Sequence, residues 1–273
     1  MTRPLVAAHR GGALLWPENS LLAFRGAIAL GAPAVELDVH LARDGGVVVI
    51  HDRTLDRTTE GAGPVADRTT DELRRLRLRD RSGTLTDERV PALDAVLSVI
   101  APSTASLLLE VKGPGPAVCY ERADHGIRAV SGPRYEGLEE RLLALVAAAG
   151  LESRTTVMAF NPDVVRRVRT LAPGTRTTLL VARAHLEAPR ATVDDVLAFA
   201  AGLGVTDLGL EHTLADEALV DAVRRRGLRL GVWTVDDPAL IRRYAALGVD
   251  VITSDRPDVA LEALGAAGAR SRA

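Results

Sequence analysis

The sequence predicts a (β/α)8 barrel of the TIM type, with a short β-hairpin after the second strand. Two observations support this fold. Short apolar strand patterns alternate with helical patterns along the 273 residues, and Asp44-Gly45, a dipeptide typical of two-residue hairpin turns, stands between two strand patterns. Repeated strand–helix units favour a barrel over an open doubly wound sheet. Since no Gly/Ser-rich or Pro-rich linker divides the chain, we expect one domain over residues 1–273.

The first elements follow from local signals. Leu5–His9 reads as a strand and Ser20–Leu30 as a helix, with Asn19 or Ser20 as its N-cap and Gly31 as its C-terminal stop. The next predicted elements are strands Pro33–Leu41 and Val47–His51, a short helix Asp71–Leu76 capped by Thr70, and a helix Leu93–Ile100.

From residue 106 onwards, predicted strands and helices alternate regularly. The strands are Ser106–Lys112, Thr155–Phe160, Arg176–Val181, Thr206–Leu210, Leu228–Thr234 and Val249–Thr253. The helices are Leu138–Ala149, Pro162–Leu171, Val193–Gly202, Leu214–Arg225, Pro238–Leu247 and Pro257–Leu264. The segment Gly113–Gly137 is long for a connection and rich in proline and glycine. We predict a loop at the active-site face, with a short helix near Val118–Arg122.

Composition excludes several classes of protein. With 34 basic and 36 acidic side chains the net charge is −2, so a broad electrostatic contact with nucleic acid or anionic membrane is not expected. The single Cys119 cannot form an intramolecular disulfide. No apolar run reaches the roughly 18 residues of a membrane span, and the N-terminus turns polar too early for a signal peptide. We therefore expect a cytoplasmic protein without integral membrane association, and the oligomeric state stays open.

Acidic residues occupy the inward face of two predicted strands. Residues alternate strictly along Val35–Val39, which places Glu36 and Asp38 on one face. The strand before residue 113 places Glu110 and Lys112 together in the same way. Because the apolar face of a barrel strand meets the surrounding helices, these acids should point into the barrel, where branched apolar residues are normal.

Several carboxylates buried together are costly, because each loses hydration and they repel one another. A hard divalent cation such as Mg²⁺ or Ca²⁺ would resolve the cost. An internal salt-bridge network with Arg10 and Lys112 is the alternative. Patterning favours the cation and leaves the network open.

The hairpin turn predicts which residue lies opposite Asp38. If Asp44-Gly45 forms the two central positions, Arg43 pairs with Gly46, and Asp38 then lies opposite His51 with their side chains about 5 Å apart. A turn shifted by one residue would remove this pairing.

Two histidines are thereby expected at one mouth. His9 ends the first strand at the carboxyl edge, where barrel active sites lie, and His51 joins the acids. Two imidazoles, a cation and the fixed charge of Arg10 are what phosphodiester cleavage requires. One imidazole activates the nucleophile and the other protonates the departing alkoxide.

Eight short motifs then occur in chain order across almost the whole length. They are His9-Arg10-Gly11, Pro17-Glu18-Asn19-Ser20, Glu36-Leu37-Asp38-Val39, His51-Asp52, Asp56-Arg57-Thr58-Thr59, Leu109-Glu110-Val111-Lys112, Trp233-Thr234-Val235 and Ser254-Asp255-Arg256-Pro257. Together they resemble the glycerophosphodiester phosphodiesterases, a family of phospholipase-C-like barrels. The resemblance implies metal-dependent hydrolysis of a small-molecule glycerophosphodiester to sn-glycerol 3-phosphate and an alcohol.

The resemblance also implies a role for each matching residue. It makes His9 and His51 the general acid/base pair, and Glu36, Asp38 and Glu110 the ligands of one divalent ion, Mg²⁺ or Ca²⁺ with Mn²⁺ as a further candidate. Arg10 and Lys112 would hold the phosphate, with Trp233 and Phe160 beside the substrate. Glu18, Asn19 and Asp255 would support these groups from behind.

Two alternatives remain at this point. A lyase would use a hydroxyl of the substrate as nucleophile and release a cyclic phosphate, and a non-catalytic barrel would only bind a phosphodiester or a metal. Retention of both histidines and all three acids argues against the second. The segment Gly113–Gly137 is either a tolerated insertion or a specificity wall that uses Tyr120, Arg122 or Tyr135.

Overall fold

Eight parallel strands close into a barrel in the computed structural model, which describes residues 3–115 and 118–265. The strands in chain order are β1 (Leu5–Ala8), β2 (Ala34–Leu41), β3 (Val47–Val49), β4 (Arg77–Arg79), β5 (Leu85–Arg89), β6 (Ser106–Val111), β7 (Cys119–Ala123), β8 (Gly126–Val130), β9 (Thr155–Ala159), β10 (Arg176–Val181), β11 (Asp207–Glu211), β12 (Arg229–Trp233) and β13 (Val251–Ser254). The barrel runs β1-β2-β6-β9-β10-β11-β12-β13, and β1 pairs with both β2 and β13. The predicted TIM-type barrel is confirmed.

Helices follow the barrel strands and cover the outside of the barrel. They are α1 (Leu21–Leu30), α2 (Thr70–Leu73), α3 (Leu93–Ile100), α4 (Leu138–Ala148), α5 (Pro162–Leu171), α6 (Ala184–Glu187), α7 (Val193–Leu203), α8 (Glu217–Arg225), α9 (Pro238–Leu247) and α10 (Pro257–Ala263). Their ends follow the sequence signals. The Ser20 side chain accepts a hydrogen bond from the Ala23 N–H, and Gly31 ends α1 in the left-handed conformation. None of the described helices is long and apolar enough to cross a membrane.

Small residues leave the barrel interior partly hollow. Gly209 and Gly231 are neighbours on β11 and β12, and a Cβ on Gly209 would lie 2.6 Å from Leu180 Cδ2. The interior apolar side chains form a cluster separate from the main core, namely Ala7, Ala34, Leu108, Met158 and Leu180. The main core lies between the outer face of the strands and the helices. The interior therefore keeps room beneath the carboxyl ends of the strands.

The predicted register of the β2–β3 hairpin is wrong. Its loop has three residues, 43 to 45, because the Ala42 N–H donates to the Gly46 carbonyl at 2.8 Å and Gly45 has a φ of 84°. Such a loop shifts the pairing by one residue relative to a two-residue turn. Asp38 therefore lies opposite Ile50, and the Ile50 N–H donates a hydrogen bond to the Asp38 carbonyl at 3.0 Å. His51 follows β3 rather than forming its end.

The predicted loop with a helix near Val118–Arg122 is also wrong. Residues 119 to 130 form the antiparallel hairpin β7–β8. Alternation buries Tyr120 and Ile127, and the Tyr120 ring packs edge-on against Phe199 of α7 with centroids 5.5 Å apart. This packing is a long-range contact that a local helical pattern does not reveal. We call the described residues of this segment, 113–115 and 118–137, the excursion.

The connection from β3 to α3 contains a second hairpin, β4–β5, that the sequence reading missed. The short helix there begins one residue earlier than predicted, because Thr69 rather than Thr70 caps it, in a reciprocal capping arrangement with Glu72. Residues 1–2, 116–117 and 266–273, which belong to the predicted domain and in part to the predicted loop, lie outside the described residues.

Candidate active site

Three carboxylates meet at the carboxyl ends of two neighbouring strands. Glu36 and Asp38 come from the inward face of β2, and Glu110 lies beside Asp38 on β6. The three residues are 1%, 0% and 7% exposed, and one oxygen from each lies within 4.8 Å of the others. The strict alternation of both strands produces this cluster, as the sequence predicted.

Two cations lie against the carboxylates. Lys112 Nζ is 2.9 Å from Asp38 Oδ1 and also contacts Glu110. Arg10 Nε is 3.3 Å from Asp38 Oδ2, and the Arg10 N–H donates to Glu36 Oε2 at 2.9 Å. Arg10 adopts a left-handed conformation with a φ of 50°, directly after β1. The predicted salt-bridge network is thus present for Asp38 and Glu110, whereas Glu36 is contacted by the Arg10 N–H and not by either side-chain cation.

The acids differ in their protonation equilibria. Burial, followed by the charge of Asp38, raises the pKa of Glu36 to about 8. Burial also opposes ionisation of Asp38, but the Lys112 ammonium, followed by His51 and Arg10, holds the pKa of Asp38 well below its usual range. One carboxylate is therefore strongly held in the charged form, and its neighbour lacks comparable support.

His9 and His51 lie at the rim of this cluster, and each is backed by a carboxylate. His9 Nδ1 is 2.7 Å from Asp255 Oδ1, and His9 Nε2 is 3.9 Å from Glu36 Oε2. His51 Nδ1 is 2.6 Å from Asp52 Oδ1. Because Nδ1 of each ring is engaged with an aspartate, Nε2 is the nitrogen available for proton transfer. Burial lowers the pKa of His9, but Glu36 and the hydrogen bond with Asp255 outweigh burial, and the net shift is upward.

The predicted supporting residues contact the site directly. Asn19 Nδ2 donates to Asp38 Oδ2 at 2.9 Å, and Asn19 has a φ of 58°. Glu18 Oε1 accepts from Arg10 Nη1 at 2.9 Å. Asp255 is the partner of His9 described above.

Arg57 joins the two sides of the site, and sequence reasoning did not assign it a role. Its guanidinium donates to Asp52 at 2.7 and 3.0 Å and to Glu18 at 2.7 and 2.9 Å. The supports of His51 and Arg10 are thereby part of one network. Its signal was the quoted motif Asp56-Arg57-Thr58-Thr59, which begins five residues after His51.

His40 and Tyr135 form a second connection that the sequence reading missed. His40 is 1% exposed, its Nε2 lies 3.0 Å from the His51 carbonyl oxygen, and its Nδ1 lies 2.9 Å from the Tyr135 hydroxyl. Burial lowers the pKa of His40 to about 4, so the ring is neutral. A carbonyl only accepts, so Nε2 carries the hydrogen and Nδ1 accepts from Tyr135. The excursion is therefore tied to the main chain of His51.

Two cavities meet beside His51 and the carboxylates. The barrel cavity, of about 310 Å³, descends from His9 and His51 past Phe160 and Trp233 to Arg229 at the opposite end. The Phe160 and Trp233 rings meet edge-on with centroids 5.6 Å apart, as a wall beside the acids. The side groove, of about 420 Å³, lies next to it under the excursion. Val118 and Pro133 line the side groove, whereas the candidate wall residues Tyr120, Arg122 and Tyr135 hold the excursion in place.

Comparison with known proteins agrees with this geometry. Residues 9–259 match the model of the glycerophosphoryl diester phosphodiesterase family. The chain belongs to this family. It is 32% identical over 257 residues to the glycerophosphodiester phosphodiesterase of Caldanaerobacter subterraneus subsp. tengcongensis, covering 94% of this chain and 96% of that protein.

Solved structures of the family share the fold. A glycerophosphodiester phosphodiesterase from Agrobacterium tumefaciens strain C58 superposes with a TM-score of 0.73 at 27% identity, over 96% of this chain and all of that one. An Oleispira antarctica phosphodiesterase, solved in complex with the product sn-glycerol-3-phosphate, gives a TM-score of 0.74 at 24% identity, over 96% and 97% of the two chains. The second likeness concerns the fold alone.

Proposed function

We propose that the protein hydrolyses glycerophosphodiesters to sn-glycerol 3-phosphate and an alcohol, with a divalent cation and two histidines. The observation that carries the proposal is the position of His9 and His51, each hydrogen-bonded to an aspartate, around three clustered buried carboxylates. The activity named for the Caldanaerobacter relative supports the same reaction class.

The residues present fit a hard divalent cation. Oxygens that ligate one such ion are separated by about 3 Å in neighbouring positions and by about 4–5 Å in opposite ones. One oxygen each of Glu36, Asp38 and Glu110 lies within 4.8 Å of the others, which is compatible with both arrangements. All three donors are carboxylates, which suit Mg²⁺, Ca²⁺ or Mn²⁺. When bound, the ion would neutralise negative charge that develops on the phosphate oxygens.

The side chains of this protein then supply orientation and proton transfer. Arg10 and Lys112, at the edge of the carboxylates, hold the substrate phosphate. His9 Nε2 takes the proton of the attacking water while Asp255 stabilises the imidazolium. His51 Nε2 delivers a proton to the departing alkoxide, and Asp52 fixes the ring tautomer from the other side. Trp233 and Phe160 form the apolar wall beside the glycerol carbons.

A turnover screen tests the proposal. Purified protein is incubated with glycerophosphocholine, -ethanolamine, -glycerol and -inositol, with Mg²⁺, Mn²⁺ and Ca²⁺ supplied separately, and products are followed by phosphorus NMR. We expect sn-glycerol 3-phosphate as the first product and no turnover in EDTA. A cyclic phosphate as first product would assign the lyase reaction instead. Absence of turnover with every substrate and ion would overturn the proposal and leave a binding role.

A further inference from the structure

The side groove and the barrel cavity share one set of walls. His51, Glu110, Lys112 and Phe160 line both. A phosphate held by Lys112 beside the carboxylates therefore has the barrel cavity on one side and the side groove on the other. A diester placed there extends one arm into each, with the histidine assigned to protonate the leaving alkoxide at the entrance to the groove.

The roof of the side groove is closely packed. A Cβ on Gly113 would lie 2.7 Å from the Pro133 carbonyl oxygen, and one on Gly115 would lie 2.4 Å from Pro133 Cγ. The segments that lead into and out of the β7–β8 hairpin therefore touch at this point, and only glycine permits the contact. The hydrogen bond of Asn161 Nδ2 to the Gly132 carbonyl, at 2.9 Å, ties the same point to the end of β9. The groove is thus a built cleft with fixed walls.

The opposite wall is formed by residues 52 to 54. Of its two charged side chains, one is fully paired within the described part of the chain and the other is not. Both oxygens of Asp52 are occupied by His51 and Arg57. Arg53 is exposed along the groove, and within residues 3–115 and 118–265 its guanidinium makes no ion pair. Beyond the catalytic groups, the charge that the groove presents to a ligand is therefore positive.

Aromatic faces are scarce in the groove. Among the described residues that line the groove, Phe160 alone carries a phenyl, phenol or indole ring. This ring already packs edge-on against Trp233 and His185. A trimethylammonium group is recognised by several aromatic faces or by an unpaired carboxylate. The described lining residues of the groove offer neither.

We propose that the side groove binds the alcohol moiety of the substrate, and that Arg53 makes it select hydroxyl-rich or anionic head groups over trimethylammonium ones. This inference rests on the proposed function. Five donors of a guanidinium match hydroxyl oxygens and anions, and its charge repels a quaternary ammonium.

The test compares kcat/KM for glycerophosphoinositol and glycerophosphocholine in wild type, Arg53→Gln and Arg53→Glu. Arg25→Glu is the matched control, because Arg25 is an exposed arginine on α1 that lines neither cavity. We expect wild type to favour the inositol substrate by about tenfold, Arg53→Gln to lose most of this preference, and Arg53→Glu to reverse it. Arg25→Glu should keep the wild-type ratio. An active wild type whose ratio is the same in all four proteins overturns the inference and leaves the proposed function intact.

If turnover is absent, a binding measurement tests head-group selection by Arg53 separately from the proposed hydrolysis. Calorimetric titration with inositol 1-phosphate, which carries the phosphate and the head group together, needs no catalysis. The Kd should rise about tenfold in Arg53→Glu and stay unchanged in Arg25→Glu. Equal Kd values in wild type and both variants would overturn the inference even if the enzyme proved inactive.

Discussion

The two ends of the barrel interior hold charged side chains in contrasting arrangements. At the carboxyl end, three buried carboxylates face one another with two cations at their edge. At the amino end, Asp207 accepts two hydrogen bonds from Arg176, at 2.8 and 2.9 Å, and lies 3.6 Å from Arg229. Arg229 continues to Asp250, at 3.7 Å. We call the amino end the lower end and the carboxyl end the upper end. Positive and negative side chains alternate at the lower end, whereas carboxylates cluster together at the upper end.

This difference separates structure from function. Opposite charges that pair within the protein need no ligand, and their role is to close the lower end of the barrel with ion pairs. Like charges buried together are costly in the free protein, so such a cluster is typical of a site that takes up a cation or a substrate. The Arg154 guanidinium illustrates the lower end, because it donates to three carbonyl groups, those of Ala101, Ser103 and Ala105.

The largest effect should come from the histidines of the upper end. His9→Ala and His51→Ala should each lower kcat/KM on a glycerophosphodiester by about 10²–10⁴-fold, because positioned proton transfer contributes that much. With bis-p-nitrophenyl phosphate, whose phenolate departs without a proton, His51→Ala should lose far less and His9→Ala as much as before. Equal losses for both variants on both substrates would contradict the division of roles. A rescue confined to His9→Ala would exchange the two roles.

The second effect concerns the carboxylates and the cation. Added metal should raise the Tm of wild type more than that of Glu36→Gln or Asp38→Asn, since ion at about 100 times its Kd stabilises by about 2.7 kcal/mol. In EDTA the two variants should differ from each other. Glu36→Gln keeps an acceptor for the Arg10 N–H and removes a buried carboxyl group that must either take up a proton or repel Asp38, so its Tm should rise. Asp38→Asn leaves Lys112 and Arg10 with less compensation, so its Tm should fall.

Thermal unfolding with and without Mg²⁺, Mn²⁺ or Ca²⁺ measures both quantities. The same metal-induced rise in Tm for wild type and both variants would place the cation elsewhere. Equal Tm values for the two variants in EDTA would remove the asymmetry between Glu36 and Asp38.

The third effect tests the amino end. Asp207→Asn should destabilise the protein by about 1–2 kcal/mol, because Arg176 and Arg229 lose the charge between them while remaining partly hydrated. Its kcat/KM should stay at the wild-type value. Urea denaturation and the standard assay measure the two quantities. A large loss of activity with unchanged stability would mean that the lower end takes part in the reaction.

The smallest effect links the excursion to the reaction. Tyr135→Phe removes the hydroxyl that donates to His40 Nδ1, which loosens the His40 contact to the His51 carbonyl. One such hydrogen bond is worth about 1 kcal/mol, so kcat/KM on a glycerophosphodiester should fall about fivefold. With bis-p-nitrophenyl phosphate the change should be smaller, because only proton delivery by His51 is disturbed.

Tyr244→Phe is the matched control for this prediction, since its hydroxyl pairs with His212 and neither residue lines the cavities. It should leave kcat/KM unchanged. An equal decrease with both substrates in Tyr135→Phe would indicate a general structural role for the pair.

The sequence by itself determined the features that depend on local periodicity. Alternation along β2 and β6 turned Glu36, Asp38 and Glu110 inward, whatever the exact pairing of the strands. The alternating strand and helix patterns determined the barrel, and the bounds of α5 and α9 agree with the predicted ones. These properties depend on residues that are close together in the sequence, so the local pattern encodes them.

Tertiary structure decided the features that depend on distant partners. The hairpin register changed because Gly45 adopts a left-handed conformation in a three-residue loop, and a shift of one residue moved Asp38 away from His51. His9 meets Asp255, and His40 meets Tyr135, across 246 and 95 residues. Such contacts form when barrel closure brings the carboxyl ends of all the strands to one rim, and no local pattern specifies which side chains then come within hydrogen-bonding distance.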